Sequence, residues 1–108
     1  MPERALSMHG PDGLGGLNLP AVPLHGTHAA EKVIWETIKA HPREVTFLSL
    51  GPPTNLSRLL RRDPSVVELL GDTILCGGTL HAHGGASPVA DFNFYGDPFA
   101  ARHVVCEP

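Results

Sequence analysis

The sequence predicts an α/β fold built on a parallel sheet, and three observations carry that expectation. Residues 44–50 and 73–76 are short, apolar and partly β-branched, as strands are. Segments of helical period lie before, between and after them. Both apolar segments run into glycine-rich turns, Gly51-Pro52-Pro53-Thr54-Asn55 and Cys76-Gly77-Gly78. Crossovers between parallel strands of one sheet are right-handed, and ligands bind at the carboxyl ends of the strands. The two turns are therefore expected on one edge.

Residues 1–26 hold no period, because Gly10, Pro11, Gly13, Gly15, Gly16, Pro20 and Pro23 break any regular element within a few residues. Ala30, Val33, Ile34 and Ile38 then fall at helical spacing, with Thr27 available as a cap and His41-Pro42 as a stop. Residues 44–50, with Val45, Phe47, Leu48 and Leu50, read as a buried parallel strand. Thr54 or Asn55 can cap a second helix carrying Leu56, Leu59 and Leu60, and Asp63-Pro64 can open a third that Gly71 closes. After the strand at 73–76, residues 79–95 read as loop, and Asp97-Pro98 opens a last helix through Ala100, Ala101, Val104 and Val105.

The composition fits one folded domain. Of 108 residues, 42% are hydrophobic and 18% charged, too apolar for a disordered chain. Eight Lys and Arg against eleven Asp and Glu leave a net charge of -3, and the basic residues cluster only at Arg58, Arg61 and Arg62, which argues against nucleic acid as a partner. Cys76 and Cys106 form neither a CxxC nor a dense framework, so free thiols are expected. No apolar run reaches the roughly 20 residues of a membrane helix and the start lacks a signal-peptide layout, so the expected location is cytoplasmic, away from membranes.

Several stretches carry candidate chemistry. The run His9-Gly10-Pro11-Asp12-Gly13-Leu14-Gly15-Gly16 clusters glycines, but no strand precedes it and no Gly-Lys-Ser/Thr follows, so alone it reads as a flexible loop. The turn at Gly51 to Leu56 can expose a backbone carbonyl, an oxygen that a hard cation such as Ca²⁺ accepts; an ordinary capped turn is the plain alternative. Cys76 by itself reads as a small buried hydrophobe. His81 and His83 alternate as two ligands on one strand face would, with Cys76 and Asp91 near them in sequence, which opens a zinc reading against the glycine content of the segment.

Together these motifs resemble, in order, those of the inosine-uridine preferring nucleoside hydrolases. The His9 run is similar to the family's HGxDGLGG loop, and Gly51-Pro52-Pro53-Thr54-Asn55 resembles GPLTN with Pro53 in place of leucine. Cys76-Gly77-Gly78 is similar to MGG with Cys76 in place of methionine. Ala90-Asp91-Phe92-Asn93-Phe94 followed by Asp97-Pro98-Phe99-Ala100-Ala101 resembles AEFNI followed by DPEAA, with Asp91 one methylene shorter than the usual glutamate. A further family asparagine has no counterpart; His83-Gly84-Gly85 stands near its place.

The resemblance implies a Rossmann-like, parallel-sheet nucleoside hydrolase fold, of which residues 1–108 form a single partial domain, loop-rich over 1–26 and alternating over 27–108. It implies cleavage of the N-glycosidic bond of ribonucleosides to ribose and free base, in purine and pyrimidine salvage, with Ca²⁺ as the metal and often a homo-oligomer as the assembly. By the same resemblance Thr54 offers its carbonyl to the metal, His9 belongs to a loop over the substrate, Cys76 lines the sugar and base pocket, and Asp91 and Asn93 meet ribose hydroxyls. The family's DTDxGxDD segment and its later aspartate and histidine have no match here. The chain is thus expected to be a central piece with supporting residues, no catalytic base, no bound Ca²⁺ and no hydrolysis on its own. A non-catalytic α/β ligand-binding or interaction domain, and a zinc-dependent hydrolase using His81, His83 and a carboxylate, are the alternatives.

Overall fold

A computed structural model describes residues 9–17, 19–20, 28–81 and 83–106. Helix α1 spans Ala30–Ala40, strand β1 Phe47–Ser49, helix α2 Thr54–Arg62, the single turn α3 Val66–Leu69 and strand β2 Thr73–Leu75. Helices α4, Phe92–Gly96, and α5, Pro98–Cys106, complete the order. The strands pair in parallel with Phe47 opposite Thr73, Leu48 opposite Ile74 and Ser49 opposite Leu75, so the Gly51 and Gly77 turns leave the same edge, as the sequence predicts.

Helices α1, α2 and α5 supply most of the core. Ile38, Leu56, Leu59, Leu60, Val66 and Val104 form one buried cluster, against which Ile34, Trp35, Val45, Phe47, Leu69, Leu70 and Leu75 pack. Alternation along each strand decides which sheet residues join it: Phe47 and Leu75 turn toward the core, whereas Leu48 and Ile74 face the other way and are 54% and 53% exposed. Strand β1 is therefore covered on one face only among the described residues, not buried on both. Parallel sheets ordinarily have both faces covered. Leu50, beyond the last ladder pair, is exposed as well.

The element boundaries depart from the sequence reading for identifiable reasons. Thr27 lies outside the described residues; α1 starts from Ala29, which makes no side-chain capping bond. Strand β1 is shorter than residues 44–50 because Arg43 adopts a left-handed backbone (φ 63°) and its N–H donates to the Leu69 carbonyl (2.7 Å), holding the chain in a turn until Val45. Thr54 is the first residue of α2 rather than its cap, and its hydroxyl points to Asp97 instead. Asp63 orders the approach to α3 by accepting from the Ser65 N–H (3.1 Å) and hydroxyl (2.6 Å), while Ser65 is the cap residue.

Gly71 does not close α3, which ends at Leu69; it lies where a Cβ would come within 2.9 Å of the Arg43 carbonyl. Residues 79–95 are not all loop, since Asp91 caps α4 with bonds from the Asn93 and Phe94 N–H groups. Five residues give too little periodicity to signal a helix. Helix α5 starts as predicted at Pro98, with Asp97 accepting from the Ala100 N–H (3.0 Å); it buries Ala100, Ala101 and Val104 but leaves Val105 exposed. No helix among the described residues is long and apolar enough to cross a membrane.

Ile38 is fully buried and Val33, on the same helix, is 48% exposed. Ile38→Ala is expected to cost about 2–5 kcal/mol of stability by losing transfer energy and opening a cavity, and Val33→Ala about 0.5 kcal/mol or less. Urea unfolding of the two variants checks this; equal costs would mean that α1 does not dock through Ile38.

Candidate functional site

The carboxyl ends of β1 and β2 lie side by side, and the segment from Asp91 to Asp97 bonds across them. The last ladder bond runs from the Cys76 N–H to the Ser49 carbonyl (2.9 Å). Just beyond it, the Asn93 side-chain NH₂ donates to the Leu50 carbonyl (3.2 Å) and the Cys76 carbonyl (2.7 Å). Asn93 thus lies in α4 rather than in a loop, and reaches both strand ends at once.

Asp91 organises the adjoining turn. Its Oδ1 accepts from the Asn93 N–H (2.8 Å) and Phe94 N–H (3.3 Å), and its Oδ2 accepts from the Gly78 N–H (2.6 Å). Partial burial by itself would raise the pKa of this carboxyl, but the Gly78, Phe94 and Asn93 N–H groups stabilise the anion and hold it below the ordinary 3.8. Three of the roughly four lone-pair directions of the carboxylate are engaged by backbone, leaving little for a second partner. Gly77 is required by close approach, since a Cβ there would collide with the Phe94 ring. Gly84 is likewise pressed against the Ala90 carbonyl, where no side chain fits.

His9 lies beside this segment, its ring edge-on to Phe92 with 6.1 Å between centroids. His9 itself is helical, not part of a loop, and the turn that follows it folds on itself: Asp12 accepts from the Leu14 N–H (3.0 Å) and Gly16 N–H (3.2 Å), and these bonds keep the Asp12 pKa low. Gly10, Gly13, Gly15 and Gly16 all have positive φ, which glycine adopts without a steric cost. The glycine cluster therefore builds a turn, with its N–H groups largely occupied internally.

Thr54 donates its hydroxyl to Asp97 Oδ2 (2.6 Å), joining the first turn of α2 to the start of α5. That bond, with the Ala100 N–H, lowers the Asp97 pKa. A second tie between the same helices is the contact of the Ser57 hydroxyl with His103 Nδ1 (3.0 Å), a pair that no sequence motif indicates. Cys76 is exposed, not buried, because it stands past the final ladder pair; Cys106 is exposed too, and both thiols are free.

His81 and His83 are exposed. No group of three His, Cys, Asp or Glu side chains able to hold a metal comes together among the described residues. The zinc reading has no support in this geometry. The Asp97 carboxylate beside Thr54 is engaged by the Thr54 hydroxyl and the Ala100 N–H.

The profile of the inosine-uridine preferring nucleoside hydrolases matches residues 1–108. A probable uridine nucleosidase 1 from Oryza sativa is 41% identical over 105 residues, covering 95% of this chain and 32% of the relative. The inosine-uridine preferring nucleoside hydrolase of Leishmania major is 36% identical over 106 residues, covering 95% of this chain and 33% of its own length. Among solved structures, a plant nucleoside hydrolase superposes with a TM-score of 0.82 at 33% identity, covering 89% of this chain and 30% of that one. A purine-preferring ribonucleoside hydrolase from Gardnerella vaginalis gives 0.84 at 27% identity, covering 93% and 32%. The chain spans about a third of the length of the curated relatives it matches.

Asp91 and Asp97 both have pKa values depressed in the folded protein. Their stabilising effect is present above the unfolded carboxylate value near 3.8 and is lost as the pH falls through the lower folded values. Asp97→Asn is therefore expected to lower the melting temperature at neutral pH, with the gap to the parent protein closing below 3.8. Melting curves across that range check it; a gap that stays constant into acid would show that the Asp97 charge is not what ties α2 to α5.

Proposed function

Because this chain belongs to the inosine-uridine preferring nucleoside hydrolase family, we propose that it carries one wall of a ribonucleoside site in an enzyme that hydrolyses the N-glycosidic bond. The supporting observation is the crossing of the two strand ends by the Asp91 to Asp97 segment, with His9 lying against Phe92. In this reading the ribose enters above the Gly51 and Gly77 turns, Asn93 Oδ1 accepts from a ribose hydroxyl, and Asp91 holds the turn that receives the sugar. Cys76 lines the sugar and base side, and His9 with the turn that follows it closes over the substrate and restricts water.

Calcium belongs to the same reading as the family's metal, to which this chain offers the Thr54 carbonyl. Held there, such a cation would supply charge stabilisation and lower the pKa of a water. No proton-transfer step is assigned to these residues. His9 meets the ring of Phe92, and Asp91 is engaged by three backbone N–H groups. In this reading the 108 residues by themselves do not hydrolyse a nucleoside.

The test is to incubate the 108-residue chain with inosine or uridine, with and without added calcium, and to follow free base. No release is expected, while millimolar nucleoside perturbs the amide signals of Gly51, Gly77, Gly78 and Asn93. Base release abolished by a chelator would overturn the supporting role, and perturbations confined to another face would overturn the site. When the family's flanking segments complete the enzyme, Asn93→Ala should lower kcat/KM about 10- to 100-fold, the equivalent of one lost buried hydrogen bond.

A further inference from the structure

The β1 edge that faces away from β2 has no strand against it among the described residues, and its backbone groups can be assigned one by one. The Phe47 N–H donates to the Asp72 carbonyl (2.8 Å), and the Ser49 carbonyl accepts from the Cys76 N–H (2.9 Å). A trans peptide points its carbonyl and its N–H in opposite directions, so the Thr46 carbonyl and the Leu50 N–H both leave by the free edge. Leu48, opposite Ile74 at the middle of the ladder, directs its own N–H and carbonyl the same way, because its neighbours Phe47 and Ser49 carry the bonds to β2. Natural sheets blunt such an edge with charge, proline or a bulge. Residues 45–51 hold no charge and no proline, and the ladder is regular.

We propose that this edge is the interface for a second copy of the chain, whose β1 pairs with it antiparallel about a two-fold axis at Leu48. The edge is complementary to itself in that arrangement. Leu48 exchanges both of its bonds with Leu48 of the other copy, and the Leu50 N–H of each meets the Thr46 carbonyl of the other, so every unpaired group named above is used. Charge favours the same direction: antiparallel pairing sends the Glu44 carboxylates to opposite ends of the interface, whereas parallel pairing sets them side by side. An axis normal to the sheet keeps the core-facing sides of both copies together. Phe47 of each then faces the recess of about 300 Å³ that Ile34, Leu50, Pro53 and Leu56 line beside the edge of the other. The sheet so formed runs β2-β1-β1-β2 and closes at two copies. This inference is independent of the nucleoside-site reading.

Sedimentation and amide hydrogen exchange of the 108-residue chain test it between about 10 μM and 1 mM, where a small interface assembles. A monomer–dimer equilibrium is expected, with the Leu48 and Leu50 amides exchanging at least about tenfold slower at the high concentration and the Phe47 amide, already bonded to Asp72, changing less. Leu48→Lys sets like charges opposite one another across the axis and should weaken the dimer about tenfold; its side chain lies on the uncovered face, so the fold is kept. Leu80→Lys, at a residue 93% exposed outside the sheet, should not weaken it. Association that Leu48→Lys leaves unchanged, growth past two copies, or a dimer in which the Leu48 and Leu50 amides are not slowed would overturn the proposal. A chain that stays monomeric would overturn it too, and would mean that the edge is kept for a different polypeptide. Should Leu48→Lys fail to fold, the exchange pattern of the parent chain still decides.

Discussion

A parallel ladder of three residues in each strand cannot hold its own ends together, and much of the molecule is arranged around that constraint. The segment from Asp91 to Asp97 meets it from outside the sheet. Asn93 bridges the two strand ends, Asp91 ties the Gly78 turn to α4, and Asp97 joins the first turn of α2 to α5 through Thr54. Seven consecutive residues thus set the spacing of both turns that border the crevice.

The polar residues in this segment are engaged in fixing the turns around them. A carboxylate that accepts three backbone N–H groups is a rigid part of the wall, and its lowered pKa expresses the same bonds. An enzyme site benefits from such groups because they need no reorganisation when substrate arrives. The residues that resemble ribose partners are therefore also those that tie the two turns to one another.

The opposite side of the sheet has a different character. Leu48 and Ile74 stand exposed on one face, and Leu50 is exposed at its end. The solved relatives run to about three times the length matched here, with the shared part superposing closely. The core gathered by Ile38, Leu56, Leu59 and Val66 supports the crevice edge from one side, and that is the side from which its geometry is set.

The sequence by itself determined the class of fold, the direction of the strands, the common edge of the two glycine turns, the capping of α5 by Asp97 and the family. These follow from local period, turn chemistry and motif order, all of which are encoded within a few residues of one another. It did not reveal that residues 92–96 are helical, that Thr54 bonds to Asp97 rather than capping α2, or that Cys76 and Leu48 are exposed. Nor did it reveal the pairing of Ser57 with His103. The two pairings join residues more than forty positions apart, the exposure of Leu48 follows from which strand face the helices cover, that of Cys76 from its place past the last ladder pair, and a five-residue helix carries too little period to be read. Only the tertiary structure decides them, because a side chain of either role has the same local sequence and differs in what the fold brings next to it.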